Sequence, residues 1–327
     1  MADVKRRAIR SLGSHQPIKH LEIADLFKGV YYLEQMSIKV ARNGSKYSDL
    51  VLKDKSGSSF AKFWGTLTKT KKGMFVAVEG HVDEYMGKPS VIVDKIKEVE
   101  PPTDLSDYLA QSLSLESDKF LFSDFIQRID GLGVEIQDET CEQLIDVIFT
   151  EEFKKQFFEA PYSILPHYAT RGGLLEHTIK VAGISSDAAS RCGLSSDEKV
   201  VLYTACLLHG IGAIEALEFQ DCVARETKSG VLLGKTFLSS RMIQKAVEGL
   251  ENLNQELLVR ILHAVLSHEA TSIKPMTREA IILAEACRTD MRIVEASDFI
   301  EQDLNDDEFT AFDTLSQRRF YKGPKIK

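Results

Sequence analysis

Five of the eight histidines crowd into one half of the chain: His167, His177, His209, His263 and His268. His177 closes the run RGGLLEH after a Gly-Gly turn. His209 closes CLLH just before Gly210, and His268 closes ILHAVLSH. A buried imidazole is most often a core residue with its hydrogen bonds satisfied. Several at the ends of apolar runs point elsewhere, because neutral imidazole is the commonest protein ligand for a transition metal. A divalent ion held there could activate water and clamp a phosphoryl group. Cys287 and Asp290 lie three residues apart, on nearly one helix face, and add a thiol and a carboxylate. His177, His209 and Cys287 together make a three-ligand zinc composition with one open position. Arg171 and Lys235 bring positive charge to the same stretches. A cationic pocket that accepts a phosphate or a nucleic-acid end without cutting it is therefore the competing expectation.

Helices must present these residues. Apolar positions recur at three- and four-residue spacing throughout 120–327, the expected helical domain. Helices are expected over 173–192, 196–210, 230–249, 255–268 and about 276–297. Two earlier ones precede them, with Ser123, Asp138 and Thr150 as caps. The last begins with Pro275 and a Thr277 cap. Pro101 and Pro102 cannot continue a strand, so residues 101–119 read as a linker.

Residues 21–100 read differently. Five short runs rich in β-branched and aromatic residues are separated by turn signals such as Asn43-Gly44 and Lys72-Gly73. Five strands at this spacing suggest a small closed barrel, with the OB-fold as the five-stranded candidate. In SFAKFW, alternation puts Phe60, Lys62 and Trp64 on one face. That combination suits base stacking beside a phosphate contact. Lys39, Arg42, Lys46 and Tyr47 belong to the preceding strand and its turn, and Lys69, Lys71 and Lys72 form a basic loop. The alternative is that Trp64 and Phe60 close the barrel core or pack on the next domain.

Charge follows the same division. Residues 1–100 carry 18 Lys and Arg against 12 Asp and Glu, net +6, and residues 1–20 are a basic leading segment. Residues 101–327 carry 23 against 37, net −14. The first hundred residues are the expected meeting surface for a polyanion. The five cysteines form no CxxC pair, which favours a reducing, cytoplasmic setting over a disulfide framework. No apolar run of about 18 residues stands out, so no membrane partner is expected.

The segments PHYATRGGLLEHTIKVA, ACLLHGIGAIE, GVLLGKTFLSSRMI, ILHAVLSHE and KPMTREAIILAEACRTDMR, in that order, resemble the YhaM-type 3′→5′ exoribonucleases. So do NGSKYSDLVLKDKSGSSFAKFW, GMFVAVEGHVDEYMGKPSVIV and the RRFYKG tail. The resemblance implies an α+β chain of two domains: an N-terminal five-stranded OB β-barrel and a C-terminal all-α HD-type phosphohydrolase fold. It also implies a metal site at His177, at the pair His209-Gly210, at His268 and near Cys287. The family's aspartate falls on Gly210, a family histidine falls on Lys235, and its paired histidines fall on His167-Tyr168. The resemblance therefore implies a degenerate site, with no cofactor expected. If one is held, it is a divalent Mn, Fe or Zn ion, with Asp290 as a substitute ligand. The expected function is binding of single-stranded RNA or DNA, as a pseudoenzyme in a binding or regulatory role. The alternatives are an active metal-dependent 3′→5′ exonuclease and a protein-interaction scaffold. A homo-oligomer or a protein partner is implied as well.

Overall fold

The computed structural model describes residues 15–41, 44–67, 70–85, 88–103, 108, 112, 114–164, 167–220, 222–269, 273–303, 307–312 and 317–323. Arg42, Lys69, residues 1–14 and part of the expected linker (104–107, 109–111 and 113) lie outside them. The chain divides into two compact units near residue 110.

The first unit is a closed barrel of five strands: β1 (Leu26–Val40), β2 (Lys46–Asp54), β3 (Gly57–Phe63), β4 (Met74–Tyr85) and β5 (Lys88–Val99). They pair in the order β1-β2-β3-β5-β4. All pairs are antiparallel except β3 with β5. One parallel closure in a five-stranded meander is the OB arrangement, so this half of the expected fold holds. Closure needs sharply bent strands, and bulges supply the bend. The register shifts between Leu33 and Gln35 in β1 and between Glu79 and Gly80 in β4. A Cβ on Gly80 would come within 2.2 Å of the Ile92 carbonyl oxygen, so only glycine lets β5 approach there. Tyr31, Leu33, Leu50, Leu52, Val76 and Val78 fill the interior.

The second unit is helical. Its first part is α1 (Leu115–Ile136), α2 (Thr140–Ile148), α3 (Glu151–Glu159), α4 (Gly173–Arg191), α5 (Ser196–Leu208) and the short α6 (Ala213–Ala216). A small hairpin, β6 (Leu217–Gln220) and β7 (Val223–Glu226), comes next. Then follow α7 (Lys228–Leu233), α8 (Lys235–Val247), α9 (Gln255–Ser267) and α10 (Arg278–Gln302). Leu174, Leu175, Val181, Leu207, Leu208 and Ile261 are among the side chains sealed in one core. By length and apolar composition alone, residues 196–216 could cross a membrane. Most of that segment, α5 and the turn into α6, is buried in the domain, as expected of a central core element.

Several local expectations need correction. Helix α1 starts at Leu115, inside the expected linker, and Ser123 is no cap. Its hydroxyl donates to the Lys119 carbonyl one turn back, the usual fate of a mid-helix serine. Thr150 and Thr277 do cap, accepting from the Phe153 and Ala280 amides. Asp138 accepts from the Thr140 amide at 2.9 Å and so holds the first turn of α2 from one residue further out than Glu139. The single helix expected over 230–249 is two helices. Gly234, at φ 76° and ψ 155°, breaks it in a backbone region reserved for glycine. The hairpin at 217–226 was not anticipated.

Candidate functional site

The barrel's outer surface carries the first candidate. Alternation along β3 sends Ala61 inward and Phe60 outward. Phe60 is 73% exposed and Trp64, just past the strand end, is 59% exposed. The alternative that they close the barrel core is therefore wrong. Phe63 and Ala61 do that work, on the opposite face. Tyr47 lies against Trp64 with ring centroids 5.4 Å apart. Lys62 stands beside Phe60 on the strand, paired in register with Asp49 of β2. Lys39 is ion-paired to Asp49 at 2.6 Å, which offsets part of its charge. Lys46, Lys71 and Lys72 are exposed. Phe60 and Trp64 thus offer aromatic surface to solvent, with Tyr47 half-buried beside Trp64 and lysines at their margin.

The second candidate is the histidine pocket. The Gly172-Gly173 turn places it. Gly172 sits at φ 84°, and a Cβ on Gly173 would come within 2.3 Å of the Tyr168 carbonyl oxygen. Helix α4 can therefore start tight against the 160–171 segment, and His177 lies one turn in, fully buried. His209 ends α5, and His268 ends α9. Ring centroids lie 5.2 Å apart for His177 and His209, and 5.1 Å apart for His209 and His268.

Each ring is gripped at Nδ1. His177 Nδ1 meets Asp290 Oδ2 at 2.7 Å. His209 Nδ1 meets the Cys206 carbonyl at 2.7 Å, and His268 Nδ1 meets the Val265 carbonyl at 2.6 Å. A carbonyl oxygen only accepts, so the proton of His209 and of His268 sits on Nδ1 and the lone pair is on Nε2. Nε2 of His177 and Nε2 of His209 are buried and have no hydrogen-bond partner among the described residues. Burial holds all three imidazoles below their ordinary pKa, and the Lys235 ammonium adds to the effect. Asp290 also accepts from the Tyr168 hydroxyl, 2.8 Å from both carboxylate oxygens. Burial pushes the Asp290 carboxyl up, while that hydroxyl pulls it back down. In this arrangement Asp290 supports His177 from behind, with both carboxylate oxygens engaged.

Around Gly210 the space is closed. A Cβ there would meet Leu174 Cδ1 at 2.9 Å and Tyr162 Cε2 at 3.2 Å. Tyr162 stacks on His177 at 4.0 Å with planes 20° apart. Lys235 Nζ lies 3.7 Å from the centroid of the Tyr162 ring and donates to the Tyr162 carbonyl at 3.0 Å. Lysine, tyrosine and histidine thus form one stack, with the ammonium held by the ring quadrupole. Burial lowers the Lys235 pKa. Arg171 does not join it. Its guanidinium pairs with Glu159 near the surface. Arg171 and Lys235, expected to share an anion pocket, each hold another partner here: Glu159 for Arg171, and the ring and carbonyl of Tyr162 for Lys235.

His177, His209 and Cys287 offer ligand atoms that all lie within 4.8 Å of one another. Burial holds the Cys287 thiol protonated, well above its ordinary pKa. Two imidazoles and a thiol do not suit a pair of hard cations that need bridging carboxylates. Gly210 gives no oxygen, and Asp290 is turned to His177 and Tyr168. The set suits a single softer ion. His263 plays another part, its Nε2 accepting from the Met276 amide at 2.9 Å. Sequence reasoning missed Tyr162, for which PYS between helices gave no signal. It also missed the role of Tyr168, whose only signal was its place beside His167.

The fold and these residues define a protein with an OB barrel followed by an HD domain. The HD family model matches residues 174–292. Across nearly its whole length the chain is similar to 3′-5′ exoribonuclease YhaM. It is 23% identical to the Shouchella clausii protein over 93% of this chain and 96% of that one. It is 24% identical to the Geobacillus protein over 93% and 94%. Among solved structures, the second OB-fold domain of replication protein A from Methanococcus maripaludis is 22% identical over 28% of this chain and 100% of its own. That match has a TM-score of 0.23.

Proposed function

We propose that this protein binds single-stranded nucleic acid on the outer face of its barrel, and that its HD pocket no longer hydrolyses phosphodiesters as a metal centre would. The relatives named above are 3′-5′ exoribonucleases, and HD chemistry draws on divalent metal ions, so descent from an RNA-processing enzyme frames the reading. The observation that carries it is the exposed pair Phe60 and Trp64, with half-buried Tyr47 against Trp64 and Lys62 between them on the strand. Stacking of bases on aromatic rings is tolerant of sequence and worth about 1–3 kcal/mol per base. The pocket supports the second half. A metal-activated water needs a clamp of ligands and room for a phosphate. Here Tyr162 and Leu174 occupy the space beside Gly210, and Lys235 sits on the tyrosine ring.

Fluorescence anisotropy with a labelled RNA and a labelled DNA oligonucleotide tests the binding. Trp64→Ala should weaken it by about 1–3 kcal/mol. Unchanged affinity would move the reading to a protein-binding role for this face. Incubation of the same oligonucleotides with Mn²⁺ tests the chemistry. Shortening from the 3′ end by the wild type, lost in His209→Ala, would overturn the non-hydrolytic reading.

A further inference from the structure

We propose that the pocket of the HD domain holds one zinc ion on His177 Nε2, His209 Nε2 and Cys287 Sγ, as a structural staple and not as a catalytic centre. The three ligand atoms lie within 4.8 Å of one another in a site where all three residues are buried. Zinc bonds of about 2.0–2.3 Å place neighbouring ligand atoms about 3.3–3.7 Å apart, so only a small inward movement is needed. The two imidazoles are already prepared. Both Nε2 atoms are buried without a partner among the described residues, and a buried polar atom without a partner is costly unless something binds it. Their Nδ1 atoms are held by a carboxylate and a backbone carbonyl, the support that orients metal-binding histidines. A thiol among imidazoles selects zinc over magnesium or manganese, which favour oxygen.

The three ligands come from α4, the end of α5 and α10. An ion joining them would tie together helices that already pack in one core. Access argues against catalysis. Tyr162 stacks on His177, Lys235 sits on Tyr162, and all three ligand residues are buried, so the site is shaped to hold an ion more than a substrate. The proposal does not depend on nucleic-acid binding by the barrel, and either can fail without the other.

The test uses full-length protein purified without chelators. Elemental analysis should find close to one zinc per chain. The cobalt-substituted protein should show a thiolate-to-cobalt charge-transfer band, because a sulfur ligand is in the set. Cys287→Ser should abolish that band and weaken zinc binding at least tenfold, whereas the exposed Cys192→Ser should change neither. A chelator should lower the melting temperature of the wild type and leave Cys287→Ser unaffected. Chain without zinc that takes up no cobalt would overturn the proposal, as would a Cys287→Ser protein that holds zinc like the wild type. Zinc-dependent cleavage of RNA that disappears in Cys287→Ser would overturn its structural character. The cobalt spectrum is read on the wild type, so a poorly folding variant leaves the test intact.

Discussion

Gly210 is the residue at which the absence of a carboxylate and close packing coincide. A carboxylate there would enter space already held by Leu174 and Tyr162. Gly210→Asp should therefore leave RNA uncut and cost about 1–3 kcal/mol of stability through overpacking, read from the urea midpoint. The histidines make a second prediction at this scale, for the metal-free protein. His177, His209 and His268 are held neutral by burial, so their folded pKa lies below the unfolded value of about 6.5. Below that pH the unfolded chain binds protons that the folded chain refuses. Stability should fall as pH drops from about 7 toward 5, with a slope no steeper than about 4 kcal/mol per pH unit for three protons. Asp290 works the other way. Burial raises its pKa above 3.8, so the folded state takes up that proton first and eases the loss at still lower pH. Denaturant titrations across pH check the sign.

At the scale of elements, the pocket depends on how helices begin and end. Helix α10 carries Cys287 and Asp290, and its start is fixed by the Thr277 hydroxyl accepting from the Ala280 amide at 3.3 Å. Thr277→Ala should lower stability by about 1 kcal/mol, measured as a shift in the urea midpoint. Helix α5 is set by a capping box in which Glu198 accepts from the Ser195 amide at 2.8 Å. The turn after His209 is held by Ser239 of α8, which donates to the His209 carbonyl and accepts from the Gly212 amide, both at 2.8 Å. That pair of bonds positions α8, and with it Lys235.

For the whole molecule, charge separates along the chain. The first hundred residues carry net +6 and the rest net −14. Binding of a single strand to the barrel should weaken with salt by counterion release. With two or three phosphate contacts, the slope for single strands gives about a tenfold loss between 50 and 200 mM salt. Anisotropy titrations at several salt concentrations would show it. A flat response would mean that lysines such as Lys46 and Lys62 do not meet phosphate.

Much of this was legible in the residues alone. The five strands announced themselves by alternation and turn residues, and alternation in SFAKFW put Phe60, Lys62 and Trp64 on one side. Apolar spacing gave α4, α5, α9 and α10, because each buries a continuous stripe. It failed at Gly234, where the apolar spacing runs on through a residue whose backbone cannot. It also failed at the hairpin 217–226, whose strands of four residues are too short to carry a pattern. By itself, the sequence determined which letters stand at His177, His209, Gly210, Lys235 and Cys287. Periodicity is a property of neighbours along the chain. The filling of the space beside Gly210 by Tyr162, 48 positions away, is not. Nor is the turning of Lys235 onto that ring, or the use of Asp290 to hold His177 from 113 residues away. Those partners meet only when the helices pack, and only the packed structure could decide them.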